Sequence, residues 1–327
     1  MSKYIDVFNG DADGIFSLIQ LRKSHPITAY DKQILITGVK RDIALVSKID
    51  ENLANDAQIT VLDVSFDKND KDVKRVLEHC QSLFYCDHHK ADKLFEHKNL
   101  TTVINTEPTV CTGLLINNML NDKNILWAVA AIYGDGLDDV ASEHVKRLGL
   151  TQTQCEQLKE LGILVNYNGY GNSVADLYFD PADLYQRLVN YDNPFEVVND
   201  SESPYQLLKQ GYEADIAKAD ASEQLVDDDL IVVILEDAPW ARRISGTYGN
   251  QLAATNPGKP VVIVTDNATG SYAISLRAPK SNPYGASNIC SQFNTGGGRE
   301  GAAGINELPK SELEDFMEAV RIYYVQT

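Results

Sequence analysis

Residues 4–14, with the sequence YIDVFNGDADG, join a short apolar run to a compact group of acidic residues and glycines. The first half of this segment is rich in β-branched and aromatic residues, and it predicts a buried β-strand. The polar half predicts a turn, and the apolar residues at 15–21 predict a helix directly after it. A strand, a polar turn and a helix in this order form the first unit of an α/β fold.

The same alternation continues through the first half of the chain, where helix-like spacing separates short β-rich runs. Strands are predicted at 34–39, 59–62 and 83–86, and helices at 41–53 and 71–79. Because this alternation is typical of strands joined by crossover helices, we expect the strands to lie parallel in one sheet.

The second half of the chain predicts a mostly helical segment followed by a second α/β region. Helical spacing dominates from residue 128 to about 212, and strand-like runs return at 231–235, 261–264 and 272–276 before a helix at 310–323. We therefore predict an α/β protein with an N-terminal parallel-sheet domain at 1–195, a helical connection at 196–226 and a smaller C-terminal α/β domain at 227–327.

The charge of the chain limits the classes of ligand that it binds. The 327 residues include 29 Lys and Arg against 47 Asp and Glu, which gives a formal net charge of −18. Binding to long duplex nucleic acid needs a clustered basic face, so this composition argues against such a partner. A short anionic substrate stays compatible, because bound divalent cations invert the local field. The acidic run at 227–229 is interpreted as solvated surface.

Localisation and redox state are also predicted from the sequence. The first eight residues lack the apolar region of a secretory signal, and the longest apolar runs are strand-sized, so we expect no membrane association. Five cysteines without paired spacing fit a reducing compartment, and buried thiols are the simplest interpretation. We expect a cytoplasmic protein.

Acidic residues and histidines lie at the ends of the predicted strands. Because the carboxyl ends of parallel strands meet at one edge of a sheet, we expect these side chains to converge there. Carboxylate oxygens with one or two imidazoles suit Mn²⁺ or Mg²⁺, and less often Zn²⁺ or Fe²⁺. The residues are Asn9, Asp11 and Asp13 after the first strand, Asp63 after another, Asp87, His88 and His89 after a third, and Asp135 in a later helical segment.

A calcium-binding loop is an alternative interpretation of the first acidic segment. Asn9, Asp11, Asp13 and Gly14 match its ligand and glycine positions, but the twelfth position holds Gln20 in place of the bidentate Glu. A strand also precedes the segment where a helix is required. Single acidic residues after strands are often turns or caps, so the prediction of a metal centre depends on the ordered combination of all four segments.

Taken in order, Asp-x-Asp-Gly, Asp, Asp-His-His and Asp resemble the motifs of the DHH phosphoesterase superfamily. This superfamily includes nanoRNases, RecJ-type exonucleases, cyclic-dinucleotide phosphodiesterases and manganese-dependent pyrophosphatases. Residues 296–304, GGGREGAAG, are similar to the glycine-rich signature of the associated DHHA1 domain. The resemblance spans nearly the whole chain and implies a DHH domain followed by a DHHA1 domain.

The resemblance implies a centre of two Mn²⁺ ions, or of other divalent ions such as Mg²⁺, that activates water for attack on phosphorus. It implies Asp63 as a bridging ligand, His89 as a contact to the substrate phosphate, and Asp87 as the residue that orients the imidazoles. The catalytic residues implied are Asp63, Asp87, His88 and His89. The metal ligands implied are Asn9, Asp11, Asp13, Asp63, His88 and Asp135.

Substrate contacts are expected from the C-terminal region. Gly296, Gly297 and Gly298 offer consecutive N–H groups of the kind that form an anion-binding concavity, although a tight turn before a helix explains them equally well. Arg277 resembles an arginine that relatives use to bind a terminal phosphate or base, with an exposed surface arginine as the alternative. Asn250 is a further candidate of the same kind.

Two positions depart from the family pattern. Asn9 stands where many relatives carry Asp, so we expect one of the two metal ions to bind more weakly. Arg299 stands where relatives usually carry His, which favours a bidentate phosphate contact over proton transfer.

The predicted function is the hydrolysis of short oligonucleotides or dinucleotides to mononucleotides by a metal-dependent phosphodiesterase. Two alternatives stay open. One is a phosphatase that acts on small phosphates such as pAp or pyrophosphate, and the other is a nucleotide-binding module with a degraded metal site. The sequence does not decide whether the chain forms a homodimer.

Overall fold

The computed structural model describes residues 2–226 and 229–325. The chain divides into two compact units, Met1–Gln210 and Gly211–Thr327. Asp227 and Asp228, which belong to the acidic run interpreted as surface, lie outside the described residues. The third residue of that run, Asp229, is half-buried, and its carboxylate lies 3.5 Å from the guanidinium of Arg321.

The first unit is built on a five-stranded sheet whose strand pairs are all parallel, in the order β2-β1-β3-β4-β5. Both β1 and β3 are buried along nearly their whole length, as expected for strands that are covered on both faces. The prediction of an N-terminal parallel α/β sheet is therefore confirmed. The strands are β1 (Lys3–Phe8), β2 (Lys32–Ile36), β3 (Ala57–Leu62), β4 (Ser82–Asp87) and β5 (Leu100–Ile104).

Helices follow these strands and supply the rest of the first core. In α3, for example, Phe66, Val73 and Val76 are buried at helical spacing, and they pack against Val61 of β3 in one cluster. The helices are α1 (Ala12–Ser24), α2 (Glu51–Ala54), α3 (Phe66–Leu77), α4 (Thr112–Met119), α5 (Ile125–Gly134), α6 (Asp138–Leu148), α7 (Gln152–Gly169), α8 (Pro181–Leu188), α9 (Pro194–Asn199) and α10 (Pro204–Asp220).

The predicted helix at 41–53 is wrong. This region contains a 3₁₀ turn at Leu45–Lys48 and the separate short helix α2. Asp50 lies between them in an extended conformation, and its side chain accepts a hydrogen bond of 2.8 Å from the N–H group of Leu53. This N-cap starts a new helix and prevents one continuous helix through the region. Strand β5, at the edge of the sheet, is absent from the sequence prediction.

The second unit is built on a six-stranded mixed sheet in the order β10-β11-β9-β8-β7-β6, in which only β7 and β8 are parallel. The predicted strands at 231–235, 261–264 and 272–276 and the closing helix are confirmed. Residues 223–226, assigned from the sequence to the helical connection, form the exposed edge strand β6. The elements are β6 (Glu223–Val226), β7 (Ile231–Leu235), α11 (Pro239–Thr255), β8 (Val261–Asp266), β9 (Ser271–Arg277), α12 (Ala286–Cys290), β10 (Gly296–Gly298), β11 (Ala302–Pro309) and α13 (Leu313–Tyr324).

Two further observations bear on the predictions from composition. Within residues 2–226 and 229–325, no helix has the length and apolar character needed to cross a membrane. The five cysteines are free thiols, of which four are buried and Cys155 is half-buried.

Candidate metal centre

The polar segments lie where the strand order of the first sheet reverses. Strands β1 and β3 are neighbours, and their connections leave in opposite directions, which opens a crevice at the carboxyl edge of the sheet. The N–H group of Asn9 donates to the carbonyl of Leu62 at 3.2 Å, and that of Asp63 donates to the carbonyl of Cys86 at 3.0 Å. The hydrogen-bond ladder therefore continues past the strand ends and fixes the residues after β1, β3 and β4 side by side.

The turn after β1 is held by its own side chains. Asp11 caps α1, because its Oδ1 accepts a hydrogen bond of 3.1 Å from the N–H group of Gly14. Asn9 Oδ1 accepts one of 3.3 Å from the N–H group of Asp11. A Cβ atom on Gly14 would lie 2.2 Å from the carbonyl oxygen of Asn9, so only glycine allows this close approach. Because α1 begins at Ala12, the segment is not a calcium-binding loop.

Asp13 joins α1 to the N-terminus of α4. Its two carboxylate oxygens accept hydrogen bonds of 2.7 Å from the N–H groups of Thr112 and Gly113. Burial raises the pKa of Asp13, and the charges of Asp135 and Asp11 raise it further, although His88 and the backbone donor oppose them. The carboxylate is thus firmly positioned, but its charge is only partly compensated by the protein.

Asp63 occupies the centre of the cluster with an unusual backbone conformation. Its φ of 57° lies in the left-handed region, which residues with a Cβ atom adopt mainly in turns and functional sites. Burial raises the pKa of Asp63 well above its usual value, and the carboxylates of Asp13 and Asp11 add to this effect. A bound cation would remove this electrostatic cost.

The two histidines are oriented by hydrogen bonds from the side of the ring away from the cluster. His88 Nδ1 lies 2.9 Å from the carbonyl oxygen of Val110, which can only accept, so Nδ1 carries the proton. This leaves His88 Nε2 facing Asp63 Oδ1 at 3.4 Å and Asp13 Oδ2 at 3.9 Å. His89 Nδ1 lies 2.7 Å from Asp87 Oδ1, an arrangement typical of metal centres and catalytic imidazoles.

The remaining acidic residues surround this cluster. Asp87 is fully buried, and its Oδ2 has no hydrogen-bond partner within the described part of the chain. Asp135 follows the last residue of α5 and is half-buried. Its charge raises the pKa of both Asp13 and Lys40, which places it within electrostatic range of the cluster.

The residues present fit a divalent cation. Asp63, His88 and His89 each offer one ligand atom, and these atoms lie within 4.8 Å of one another. One carboxylate and two imidazoles, with further carboxylates beside them, form a donor set that suits Mn²⁺ and related ions. The family resemblance implies only a substrate contact for His89, whereas its position also permits it to contact a cation.

Lys40 is a component of the site that is absent from the sequence prediction. Its ammonium lies 2.5 Å from Asp11 Oδ2 and 3.1 Å from Asn166 Oδ1. Burial alone raises the pKa of Asp11, but the charge and hydrogen bond of Lys40 lower it to about 2. The sequence offered one indication of this role: Lys40 follows the carboxyl end of β2, as the acidic residues follow the other strands.

In the second unit, the structure brings Arg277 and Asn250 together. Arg277 ends β9, and its Nε donates to Asn250 Oδ1 at 2.5 Å. The guanidinium also donates to the hydroxyl of Ser275 at 2.9 Å and to the carbonyl of Gly246 at 3.1 Å. These contacts fix the orientation of the guanidinium, which remains half-buried at the surface of α11 and β9.

The glycine-rich segment forms a strand. Gly296, Gly297 and Gly298 make up the edge strand β10, antiparallel to β11, and not a turn before a helix. A Cβ atom on Gly296 would lie 1.8 Å from the carbonyl oxygen of Cys290, so close packing against α12 explains that glycine. Arg299 is exposed in the turn between β10 and β11, where its N–H group donates to the carbonyl of Ala302 at 2.9 Å.

Sequence comparison alone gives no relatives: no family model matches the chain, and neither does any curated protein. Several solved structures are similar to it. The DHH domain of a protein described as a member of a family of ribosomal proteins has a TM-score of 0.64 at 13% identity, with 98% of this chain and 86% of that chain covered.

Two other solved structures are similar to this chain. The pGpG-specific phosphodiesterase PggH from Vibrio cholerae has a TM-score of 0.56 at 11% identity, and 99% of each chain is covered. RecJ from Thermus thermophilus, solved in complex with Mn²⁺, has a TM-score of 0.56 at 15% identity. The match covers 99% of this chain and 52% of RecJ, so the chain spans about half of that protein. The fold is therefore that of the DHH-domain proteins, which confirms the resemblance at the level of the fold.

Proposed function

We propose that the protein is a metal-dependent phosphodiesterase that hydrolyses short oligonucleotides or dinucleotides to mononucleotides. The observation that carries this proposal is the cluster of Asp63, His88 and His89, whose ligand atoms lie within 4.8 Å of one another at the carboxyl edge of the sheet. Buried carboxylates of high pKa beside oriented imidazoles are typical of functional sites. The similarity of the fold to a pGpG-specific phosphodiesterase and to RecJ supports the same class of reaction.

We assign a role to each residue of the cluster from the exposed fraction of its side chain. The side chain of His88 is 8% exposed and that of Asp63 is 3% exposed, so we assign these two residues to holding Mn²⁺ or Mg²⁺. When bound, such an ion polarises phosphoryl oxygens and lowers the pKa of water. The side chain of His89 is 43% exposed, and we assign it to contact the phosphate of the substrate.

Orientation of these groups is set before any substrate binds. Asp87 holds Nδ1 of His89, and the carbonyl of Val110 holds Nδ1 of His88, so each ring presents Nε2 in a fixed direction. Asp13 fixes the N-terminus of α4, whose Thr112 hydroxyl donates to Asp63 at 3.2 Å. Preorganised groups of this kind lower the cost of reaching the transition state.

Substrate recognition is assigned to the second unit. We assign to the guanidinium of Arg277, held by Asn250, a charge-assisted contact with a phosphate of the substrate. Arg299 offers a second guanidinium in the turn after Gly298. The net charge of −18 supports a short substrate over a long duplex.

A panel of substrates tests the proposal. With Mn²⁺, we expect the protein to release AMP from pApA faster than it hydrolyses pAp, pyrophosphate or a long single strand, as separated by anion-exchange chromatography. An Asp63→Asn variant controls for contaminating nucleases, and an Asp183→Asn variant, altered at an exposed position of α8, controls for loss of an aspartate in general.

Two results would overturn the proposal. Faster hydrolysis of pAp or pyrophosphate than of pApA would indicate a phosphatase. Measurable binding of pApA without hydrolysis in Mn²⁺, Mg²⁺ or Zn²⁺ would indicate a nucleotide-binding module.

A further inference from the structure

The candidate metal centre has two halves, which differ in whether a cation of the protein already contacts a carboxylate. In one half, Asp63, His88 and His89 each offer one ligand atom, and these atoms lie within 4.8 Å of one another. In the other half, the Asp11 carboxylate already contacts a cation, which is the ammonium of Lys40 at 2.5 Å. The charge of Asp11 is therefore neutralised by the protein itself.

Several contacts fix the position of Lys40. Asn166 of α7 accepts from its ammonium at 3.1 Å, and the ammonium lies 5.6 Å from the centre of the Tyr170 ring. The N–H group of Lys40 also donates to the carbonyl of Gly169 at 2.8 Å. Backbone and side chain of Lys40 are thus both held, and its side chain is only 28% exposed.

Asn9 contributes to the same arrangement. Its Nδ2 donates to the carbonyl of Lys40 at 3.2 Å, while its Oδ1 accepts from the N–H group of Asp11. A carboxylate at position 9 has no donor for the carbonyl of Lys40, and it would add a negative charge. The neutral amide of Asn9 therefore supports Lys40 where an acidic residue would attract a second metal ion.

The carboxylates of Asp11 and Asp13 already accept hydrogen bonds from protein donors. Asp11 Oδ1 accepts from Gly14, and Asp11 Oδ2 accepts from Lys40. Both oxygens of Asp13 accept from the N-terminus of α4. A divalent ion at Asp11 would have to displace the ammonium, since two cations do not share one carboxylate oxygen without strong repulsion.

We propose that the centre holds one divalent cation per chain, bound at Asp63 and His88 beside His89, and that the ammonium of Lys40 supplies the second positive charge, at Asp11. This proposal rests on the proposed function, because it concerns the same centre. An ammonium is a compact point charge with three donors, so it binds a phosphate oxygen but does not replace a metal ion as a Lewis acid.

Metal counting tests the proposal without measuring activity. The protein, stripped with EDTA, is equilibrated with Mn²⁺, desalted and analysed by mass spectrometry for Mn²⁺ per chain, and electron paramagnetic resonance distinguishes isolated ions from a spin-coupled pair. We expect about one isolated Mn²⁺ in the wild type, and about two coupled ions in a variant that combines Asn9→Asp with Lys40→Met. Lys40→Arg keeps the charge and is expected to stay at about one ion.

The matched control is Lys90→Met, because Lys90 follows His89 but its side chain is 80% exposed and paired with Asp92. It is expected to bind about one ion, and thermal unfolding verifies that every variant is folded. About two ions in the wild type would overturn this inference and leave the proposed function standing. No bound ion in the wild type would overturn both. A double variant that is folded and still binds about one ion would show that Lys40 and Asn9 do not exclude the second ion.

Discussion

Replacing Asp63 by Asn is expected to make the metal-free protein more stable against unfolding while it abolishes metal-dependent function. In metal-free protein, Asp63 is buried near Asp11 and Asp13, and burial together with these charges raises its pKa well above the usual value. The amide of Asn keeps the shape of the side chain and an oxygen that accepts the hydrogen bond from the Thr112 hydroxyl. The substitution therefore removes charge with little change in packing.

The size of the effect follows from distances to His88. Asp63 Oδ1 and Asp13 Oδ2 lie 3.4 and 3.9 Å from the same atom, His88 Nε2. The two oxygens are therefore no more than about 7 Å apart, and two unit charges at that separation repel by about 2 kcal/mol at an effective dielectric constant of about 20. Because the amide removes this repulsion together with the cost of burying the charge, we expect Asp63→Asn to increase the free energy of unfolding by about 1 to 2 kcal/mol.

Urea unfolding at about pH 8, with EDTA or with Mn²⁺, measures this change. In EDTA, Asp63→Asn is expected to be more stable than the wild type, while the exposed control Asp183→Asn changes by less than about 0.5 kcal/mol. Mn²⁺ is expected to stabilise the wild type and Asp183→Asn, but not Asp63→Asn, because binding to the folded state alone raises stability. A variant that is less stable in EDTA and keeps the full Mn²⁺ effect would refute the reasoning.

Three further predictions test the centre. In EDTA, the unfolding temperature is expected to fall from about pH 5 to about pH 8. Folding raises the pKa of Asp63 and of His89, and the stability that a raised pKa contributes is lost as the pH increases. An unfolding temperature that rises over this range would contradict the prediction. Asp87→Asn is expected to weaken Mn²⁺ binding or activity by about 10- to 100-fold, measured by calorimetric titration and AMP release, since it replaces the charged acceptor that orients His89 by a neutral amide. Gly14→Ala is expected to destabilise the protein by about 1 to 3 kcal/mol, because its Cβ would lie 2.2 Å from a carbonyl oxygen. The control is Gly258→Ala, whose Cβ would meet no atom within 4 Å. Equal unfolding midpoints for the two variants would contradict the prediction.

The sequence predicts the parts of the centre that follow strands directly. Asp63 and His88 directly follow β3 and β4, while Asp11 and Asp13 lie in the turn after β1 and in the first turn of α1, and parallel pairing brings such residues to one edge. The fold of the first sheet follows from the same apolar runs. This part of the prediction depends only on local pattern and on the geometry of parallel strands.

The parts of the site that the sequence did not predict depend on contacts between residues that no local pattern connects. Lys40 acts through the end of a long side chain, four residues after β2 ends, and its partner Asn166 comes from α7, far along the chain. No local pattern pairs these two residues. Likewise, Gly296 packs closely against Cys290, and sequence alone does not distinguish a glycine needed for packing from one that binds an anion.

The most direct test of the account is metal-dependent release of AMP from pApA by protein that was first stripped with EDTA. The account predicts no release before Mn²⁺ is added, release after it is added, and no release at any Mn²⁺ concentration from the Asp63→Asn variant. Equal release by the stripped protein and the Mn²⁺-loaded protein, or wild-type release by the folded Asp63→Asn variant, would contradict it.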